Sequence, residues 1–463
     1  MGNKEPEEII RKVVDDCTDC DVCRFLMDEN CLMFPELYRL WDRETETGEQ
    51  ISGTELRRLV DLCNFCALCP CPNIRADIIA AKTGFIDRDG LDFGVRTIED
   101  VERIAKLCGV VPGLANRLFR SKLTGGLFKK AVGVHPDRGF PEFPDEDFSV
   151  WAKQQSLHVK SWNPSAKRKV AYFGGCTGKF IFPDVAKAVV EVLRYNDIEV
   201  YYPQQQCCGM PTLLEGDRQL TQEFVQSNLE RLVEAVEDGY DIVCSCPTCG
   251  FMLKHVLCEG AYYSRQYQES AGGDDRHIKV PEHVRSTAAP KRNLVLLDKT
   301  IYGSILKDDG YFSSIDPRKR ILIAEHTFDV GEFLGLLHQD GKLKTGFGPV
   351  QGRVVYYPPC HQREQNIGQP YLDLLRLVPG IELTSIDGNL YCCGMGGIMG
   401  FKKEFHDSSI RLGSRLMQKI RWLNPDKLVT DCLSCRLQFN QMTSYHVLHP
   451  IEILCESYSG NPK

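Results

Sequence analysis

The chain has 463 residues, 43% of them apolar and 26% charged, with a net charge of −7. That is ordinary globular composition with material for roughly three domains, which excludes wholesale disorder, and the negative balance argues against a dedicated nucleic-acid binder. No apolar run approaches the ~18 residues that cross a bilayer. The opening MGNKEPEEIIRKVV predicts no signal peptide and, with Pro6 where Ser or Thr is needed, no myristoylation.

The 22 cysteines carry the information. A long chain without an export signal is a poor disulfide scaffold, so clustered cysteines read as metal ligands in a reducing, cytoplasmic setting. Residues 1–85 hold Cys17-x-x-Cys20-x-x-Cys23 with Cys31 after it, then Cys63-x-x-Cys66-x-x-Cys69 with Cys71 after it. Each triplet bends three thiolates around one loop, which suits three corners of a cubane [4Fe–4S] cluster. In two-cluster ferredoxins the fourth thiolate comes from the other run. That pairs Cys17, Cys20 and Cys23 with Cys71, and Cys63, Cys66 and Cys69 with Cys31. The gaps to the fourth cysteine, seven residues and one, depart from the usual three, so the fourth ligands are less firmly set than the triplets. Structural zinc competes, but zinc sets come as separated pairs and six of these eight cysteines lie in triplets.

Residues 86–165 are expected to form a helical connector, with Cys108 its only cysteine. Within it, residues 101–131 mix Leu118, Phe119, Leu123, Leu127 and Phe128 with Arg117, Arg120, Lys122, Lys129 and Lys130. Such a basic amphipathic segment either packs on its own core or touches a membrane or a partner.

Two copies of one pattern follow. The first, in residues 166–265, runs Cys176, then Cys207-Cys208-Gly209, then Cys246-x-x-Cys249. The second, in residues 351–463, runs Cys360, then Cys392-Cys393-Gly394, then Cys432-x-x-Cys435. The spacings agree to within one residue, which marks a duplication. Periodicity predicts strands at 168–173, 198–202 and 241–243 with helices at 185–193 and 220–236 between them. The second copy repeats this at 353–357, 381–386 and 427–430, with helices near 371–377 and 405–422. Such alternation implies parallel α/β sheets, with sites beyond the carboxyl ends of the strands. Residues 266–350 read as a connecting segment, with the polar stretch 270–292 as loop.

Five thiolates per copy exceed the four that a cubane or a zinc takes. Gly209 and Gly394 permit the tight turn that lets adjacent cysteines share one site. These motifs, with IELTSIDGNLYCCGMGGIMGFKKE, LVTDCLSCRLQFNQMTS and HPIEIL, resemble the CCG-domain (cysteine-rich) iron–sulfur oxidoreductases. The family includes heterodisulfide reductase catalytic subunits (fused B and C subunits), the C subunit of anaerobic glycerol-3-phosphate dehydrogenase, and electron-transfer subunits of tungsten-type benzoyl-CoA reductase complexes. The resemblance implies two pseudo-symmetric CCG α/β domains after an N-terminal helical two-[4Fe–4S] ferredoxin module. It also implies a noncubane [4Fe–4S] cluster in each CCG domain, at Cys176, Cys207, Cys208, Cys246 and Cys249 and at Cys360, Cys392, Cys393, Cys432 and Cys435. Zinc in one of the two domains stays open.

The function so implied is an electron-transfer subunit of an anaerobic oxidoreductase complex. Two alternatives are a catalytic subunit that itself reduces a disulfide at the CCG clusters, and a membrane-associated subunit of a glycerol-3-phosphate-type dehydrogenase. No G-x-G-x-x-G follows a strand and no Walker motif is present, so a flavin or catalytic centre is assigned to partner subunits. Peripheral membrane association is compatible with this reading and not required by it. His361 and Arg363 are candidates for binding cluster sulfide or an anionic substrate. Cys108, Cys244, Cys258 and Cys455 read as small buried hydrophobes. His446 and His449 read as ordinary histidines, with zinc the alternative.

Overall fold

A computed structural model describes residues 5–27, 31–66, 68–69, 71–121, 123–160, 168–271, 276–282, 293–303, 307–388 and 391–459. Lys122 lies outside them, as do 272–275 and 283–292 of the polar stretch. The N-terminal region is helical. Pro6–Cys20, Met33–Thr47, Gly53–Leu62 and Pro72–Asp89 enclose Ile10, Val13, Phe34, Leu37, Leu59, Ile78 and Phe85. Ser52 and Glu55 form a reciprocal capping box that fixes the start of the third of these helices. Short helices then run through the connector, from Phe93–Glu99 to Phe148–Gln154.

The strands in chain order are β1 (Arg168–Phe173), β2 (Ile198–Tyr201), β3 (Asp241–Cys244), β4 (His277–Pro281), β5 (Leu294–Asp298), β6 (Thr327–Asp329), β7 (Gly352–Tyr356), β8 (Ile381–Ser385), β9 (Lys427–Val429) and β10 (Val447–Leu448). Two four-stranded parallel sheets result, ordered β2-β1-β3-β6 and β8-β7-β9-β10. Their registers correspond: Arg168 faces Ile198 and Val170 faces Asp241, as Gly352 faces Ile381 and Val354 faces Lys427. The chain is thus mixed α/β with two equivalent sheets.

Two features differ from expectation. The first sheet takes its fourth strand, β6, and a following helix, Val330–Gln339, from inside the segment read as a connector. Their counterparts are β10 and the helix Pro450–Ser459. Strands of three and two residues give too short an alternation to stand out in a sequence. Part of the polar stretch is also strand rather than loop. In β4, Ile278 and Val280 turn inward between half-buried neighbours while the strand pairs antiparallel with β5, because alternate burial outweighs local polarity.

The two halves share one core. Val170, Tyr172, Val189, Phe328 and Phe333 pack together with Val354, Tyr356, Leu374, Leu433 and Ile451. The helix contacts are reciprocal: Pro183–Tyr195 packs on Pro450–Ser459, and Pro370–Leu375 packs on Val330–Gln339. This is the arrangement of an isologous interface, built within one chain. No described helix is long and apolar enough to cross a membrane.

Where the connector meets both halves, the Glu99 carboxyl is 1% exposed and neither oxygen has a hydrogen-bond partner. Burial first, then nearby Asp217 and Glu215, lifts its pKa from 4.5 to about 9. The folded state therefore holds a proton that the unfolded chain releases above pH 4.5, so this group costs stability as pH rises from 4.5 to 9. Glu99→Gln is expected to raise stability at pH 8 by about 1–2 kcal/mol, and by less at pH 5. Thermal melts at the two pH values check this; an equal or larger gain at pH 5 would contradict it.

Candidate metal centres

In each sheet the strands are parallel, so their carboxyl ends face one way. Cys176 follows β1, Cys207 and Cys208 follow β2, and Cys246 follows β3. Cys360, Cys392, Cys393 and Cys432 follow β7, β8 and β9 in the same way. In the first half the Cys176 and Cys207 sulfurs stand 3.5 Å apart. Gly175, with φ +62°, leaves room for the Cys249 sulfur, which a Cβ there would meet at 2.7 Å. In the second half the Cys393 and Cys435 sulfurs are 3.0 Å apart, and the amides of Gly394 and Cys435 donate to the sulfurs of Cys392 and Cys432. Gly394, at φ +85°, abuts the Ser409 carbonyl, so no side chain fits there.

All of these thiols are free. Sulfurs this close interact through shared protons. Hydrogen bonds from its cysteine neighbours hold Cys207 well below the usual thiol value, and the Cys249 thiol brings Cys246 down to about 7. Cys176, Cys208 and Cys249 are pushed up in return. In the second half Cys393 is held low by Cys392 and Cys435. Further proton loss would crowd thiolates together, and a bound cation relieves that repulsion.

The N-terminal thiols fall into two groups. Burial, then the like charges of Cys23 and Cys71 with Cys20 close by, pushes Cys17 up to about 12. Burial, then Cys66 and Cys63, pushes Cys31 up to about 12, and Cys69 is raised by burial and by Cys63, Cys66 and Cys31. Each run thus meets the late cysteine of the other. Helix ends set this up: Cys17 and Cys20 close Pro6–Cys20, Cys63 caps Gly53–Leu62, and Cys71 precedes Pro72–Asp89. Four converging thiols in each group fit a multinuclear cation cluster better than they fit one another as anions.

The second of these groups lies beside the second CCG site. After burial, the largest influence on Cys360 is Cys66. The residues after Cys360 bind this junction together. The His361 Nε2 lies 3.0 Å from the Phe65 carbonyl oxygen, and its Nδ1 lies 3.0 Å from the Thr248 hydroxyl. Burial holds this imidazole neutral, with a pKa of about 4. A carbonyl only accepts, so Nε2–H donates to Phe65 and Nδ1 accepts from Thr248. Glu364 pairs with Arg75 at 2.7 Å, and Gln365 donates to the Pro247 carbonyl at 3.0 Å. Arg363 donates to the Gly388 carbonyl. Both nitrogens of His361 are therefore engaged, and it has no donor left for sulfide or substrate. Arg363 stays close enough to Cys66 and Cys360 to act on both as a cation.

His449 makes the matching contact between the halves. It is fully buried, with Nε2 3.0 Å from the Ser245 carbonyl and Nδ1 accepting from the Ile451 amide. That leaves no lone pair for zinc, while His446 is exposed. Cys244 and Cys258 are buried; Cys108 and Cys455 are only half-buried, and Cys455 donates to Glu191. Several supporting residues gave no signal in sequence. Glu102 accepts from the Cys207 amide, Gln205 accepts from the amides of Gly174 and Gly175, and Asn228 bonds both Gln206 and Cys207. Arg138 is 1% exposed and donates to Gly400, Gln438, Gln441 and Ser409.

Comparison with known proteins agrees with this geometry. A cysteine-rich domain family, CCG, matches residues 170–254 and 354–440, so the domain is present twice. The chain is 26% identical over 333 residues to the C subunit of anaerobic glycerol-3-phosphate dehydrogenase of Escherichia coli, covering 72% of this chain and 68% of that one. It is 26% identical over 312 residues to the B subunit of fumarate reductase (CoM/CoB) of Methanothermobacter marburgensis, covering 65% and 49%. Lactate utilization protein A 2 of Bacillus cereus is 22% identical over 298 residues, covering 63% and 99%.

His361→Leu removes both hydrogen bonds and leaves the Phe65 carbonyl and Thr248 hydroxyl unpaired in the interior. It is expected to cost about 2–4 kcal/mol, while His361→Gln, which keeps a donor, costs less. Denaturant unfolding of the two variants checks this order; equal losses would contradict the role given to the ring.

Proposed function

From two CCG cysteine-rich domains in one chain, we propose an iron–sulfur electron-transfer subunit of an anaerobic oxidoreductase complex. Cys17, Cys20, Cys23 and Cys71 would hold one cubane [4Fe–4S] cluster, and Cys31, Cys63, Cys66 and Cys69 the other. Cys176, Cys207, Cys208, Cys246 and Cys249, and Cys360, Cys392, Cys393, Cys432 and Cys435, would hold the two CCG clusters, taken as noncubane. Such clusters supply one-electron carriers whose potentials follow from charge, hydrogen bonds and exposure.

The observation that carries the relay reading is the His361 junction. It joins the Cys63–Cys66 loop, the Cys246–Cys249 motif and Cys360 through two hydrogen bonds. The Phe251 ring stacks on the imidazole at 5.1 Å and Gln365 closes on Pro247. A disulfide reductase needs open space between its paired clusters, whereas a relay needs only short separations. The packed side chains between these two motifs favour the relay. The amides of Gly394 and Cys435 donate to the sulfurs of Cys392 and Cys432 and orient them, and Arg363 offsets charge at Cys66 and Cys360. The relatives named as subunits of a dehydrogenase and a fumarate reductase support assembly with other redox subunits; flavin-containing or catalytic partners and a cytoplasmic setting belong to the same proposal.

Electron paramagnetic resonance of anaerobically purified, reduced protein tests the assignment. Cys17→Ser is expected to weaken one cubane signal and spare the other, whereas Cys66→Ser removes the second. Identical spectra from both variants and the parent would overturn the ligand sets. Consumption of a small disulfide by the isolated, reduced chain would favour the reductase alternative.

A further inference from the structure

The fold brings together a set of metal-ligating side chains that the relay does not use. His135 lies in the connector, and His406 and Asp407 open the helix His406–Leu423 of the second CCG domain. One nitrogen of each ring and a carboxylate oxygen of Asp407 lie within 4.8 Å of one another. Backbone pairing holds the two segments in register beside them. Val134 bridges antiparallel to Lys402, the His135 amide donates to the Phe401 carbonyl at 3.0 Å, and the Lys403 amide donates to the Gly133 carbonyl at 2.8 Å.

His406 is 5% exposed, and its Nδ1 is buried without a hydrogen-bond partner. Such an orphaned nitrogen costs free energy unless a ligand engages it. Burial first, then Arg138 and His135, holds the ring below its ordinary pKa of 6.5 and so in the neutral form that binds metal. The His135 Nδ1 accepts from the Asp137 amide at 3.2 Å and lies 4.0 Å from the Asp137 carboxylate. That leaves Nε2 for an ion, with a carboxylate beside Nδ1 to accept the proton of the bound tautomer. The rings stack at 4.0 Å with 7° between their planes. Parallel rings aim their lone pairs past each other, so one ion meets both only when the stack opens. His135, with 21% of its side chain exposed, is the ring with room to tilt. Arg138 opposes a cation here, but its guanidinium is engaged by Gly400, Gln438, Gln441 and Ser409, and Asp407 and Asp137 set two carboxylates against it.

We propose that His135, His406 and Asp407 form a zinc site, separate from the cysteine clusters, that joins the connector to the second CCG domain. Two imidazoles and a carboxylate are a borderline donor set with one position left for water, which suits zinc rather than calcium or magnesium. The same helix carries Ser409, whose carbonyl abuts Gly394, so the ion would brace the Cys392–Cys393 turn from behind. The inference does not depend on which metal the thiols hold, because its own ligands are nitrogen and oxygen.

Equilibrium dialysis of the anaerobically purified full chain against micromolar zinc, followed by metal analysis and zinc-edge X-ray absorption, tests it. The parent is expected to retain about one zinc per chain more than His135→Ala or Asp407→Ala, with iron, sulfide and circular dichroism alike in all three. Both variants change the more exposed ligands and leave the buried His406 in place. Asp137→Asn should weaken zinc binding roughly tenfold. The zinc that distinguishes the parent should show nitrogen and oxygen neighbours at about 2.0–2.1 Å and no sulfur at about 2.3 Å. Zinc should also raise the melting temperature of the parent and not of the two ligand variants. Equal zinc retention by parent and variants would overturn the proposal, as would sulfur neighbours around the zinc that the parent retains in excess.

Discussion

Crowding of thiols is the constraint on which the rest of this molecule depends. Sulfurs 3.0 and 3.5 Å apart cannot all lose their protons without a cation between them. The fold brings them to this separation by simple means. Parallel strands end on one side of each sheet, and each CCG turn uses a glycine at positive φ, Gly209 and Gly394, the second of which also lies where a side chain would collide with the Ser409 carbonyl. The shared apolar core offsets the cost of gathering so many polar groups in its interior.

Two neutral histidines then fix the distances between centres. His449 reaches across the internal pseudo-symmetry to Ser245, next to Cys246. His361 reaches Thr248 on one side and Phe65 on the other. Each ring has one donor and one acceptor nitrogen, and each is matched to partners that accept only one tautomer. The same duplicated sheet therefore serves as scaffold twice, and the short segment Cys360 to Gln365 ties the N-terminal helices to both copies.

The cysteine groups and most of the sheet are legible in the sequence because spacing and alternation are local. Cys176 and Cys360 sit at the same register beyond β1 and β7, as the repeat implies. The rest depends on long-range contacts. β6 and β10 are too short to announce themselves, and β4 hid in a polar stretch whose inward face is only Ile278 and Val280. In the sequence His361 reads as a candidate for binding sulfide or an anionic substrate and His449 as an ordinary histidine, since a histidine beside a cysteine motif carries no mark of what its two nitrogens meet. Glu102 looked like one charge in a basic helix, and only its burial against Cys207 shows its place. Glu99 was equally silent, because a carboxyl without a partner is defined by what the fold packs around it.

Whether the converged thiols hold iron and sulfide is measured most directly by elemental analysis. Anaerobically purified protein is expected to contain iron and acid-labile sulfide in near-equal amounts, at about sixteen of each per chain if all four sites carry four-iron clusters. Zinc without sulfide, in colourless protein that keeps the same fold by circular dichroism, would contradict the iron–sulfur assignment.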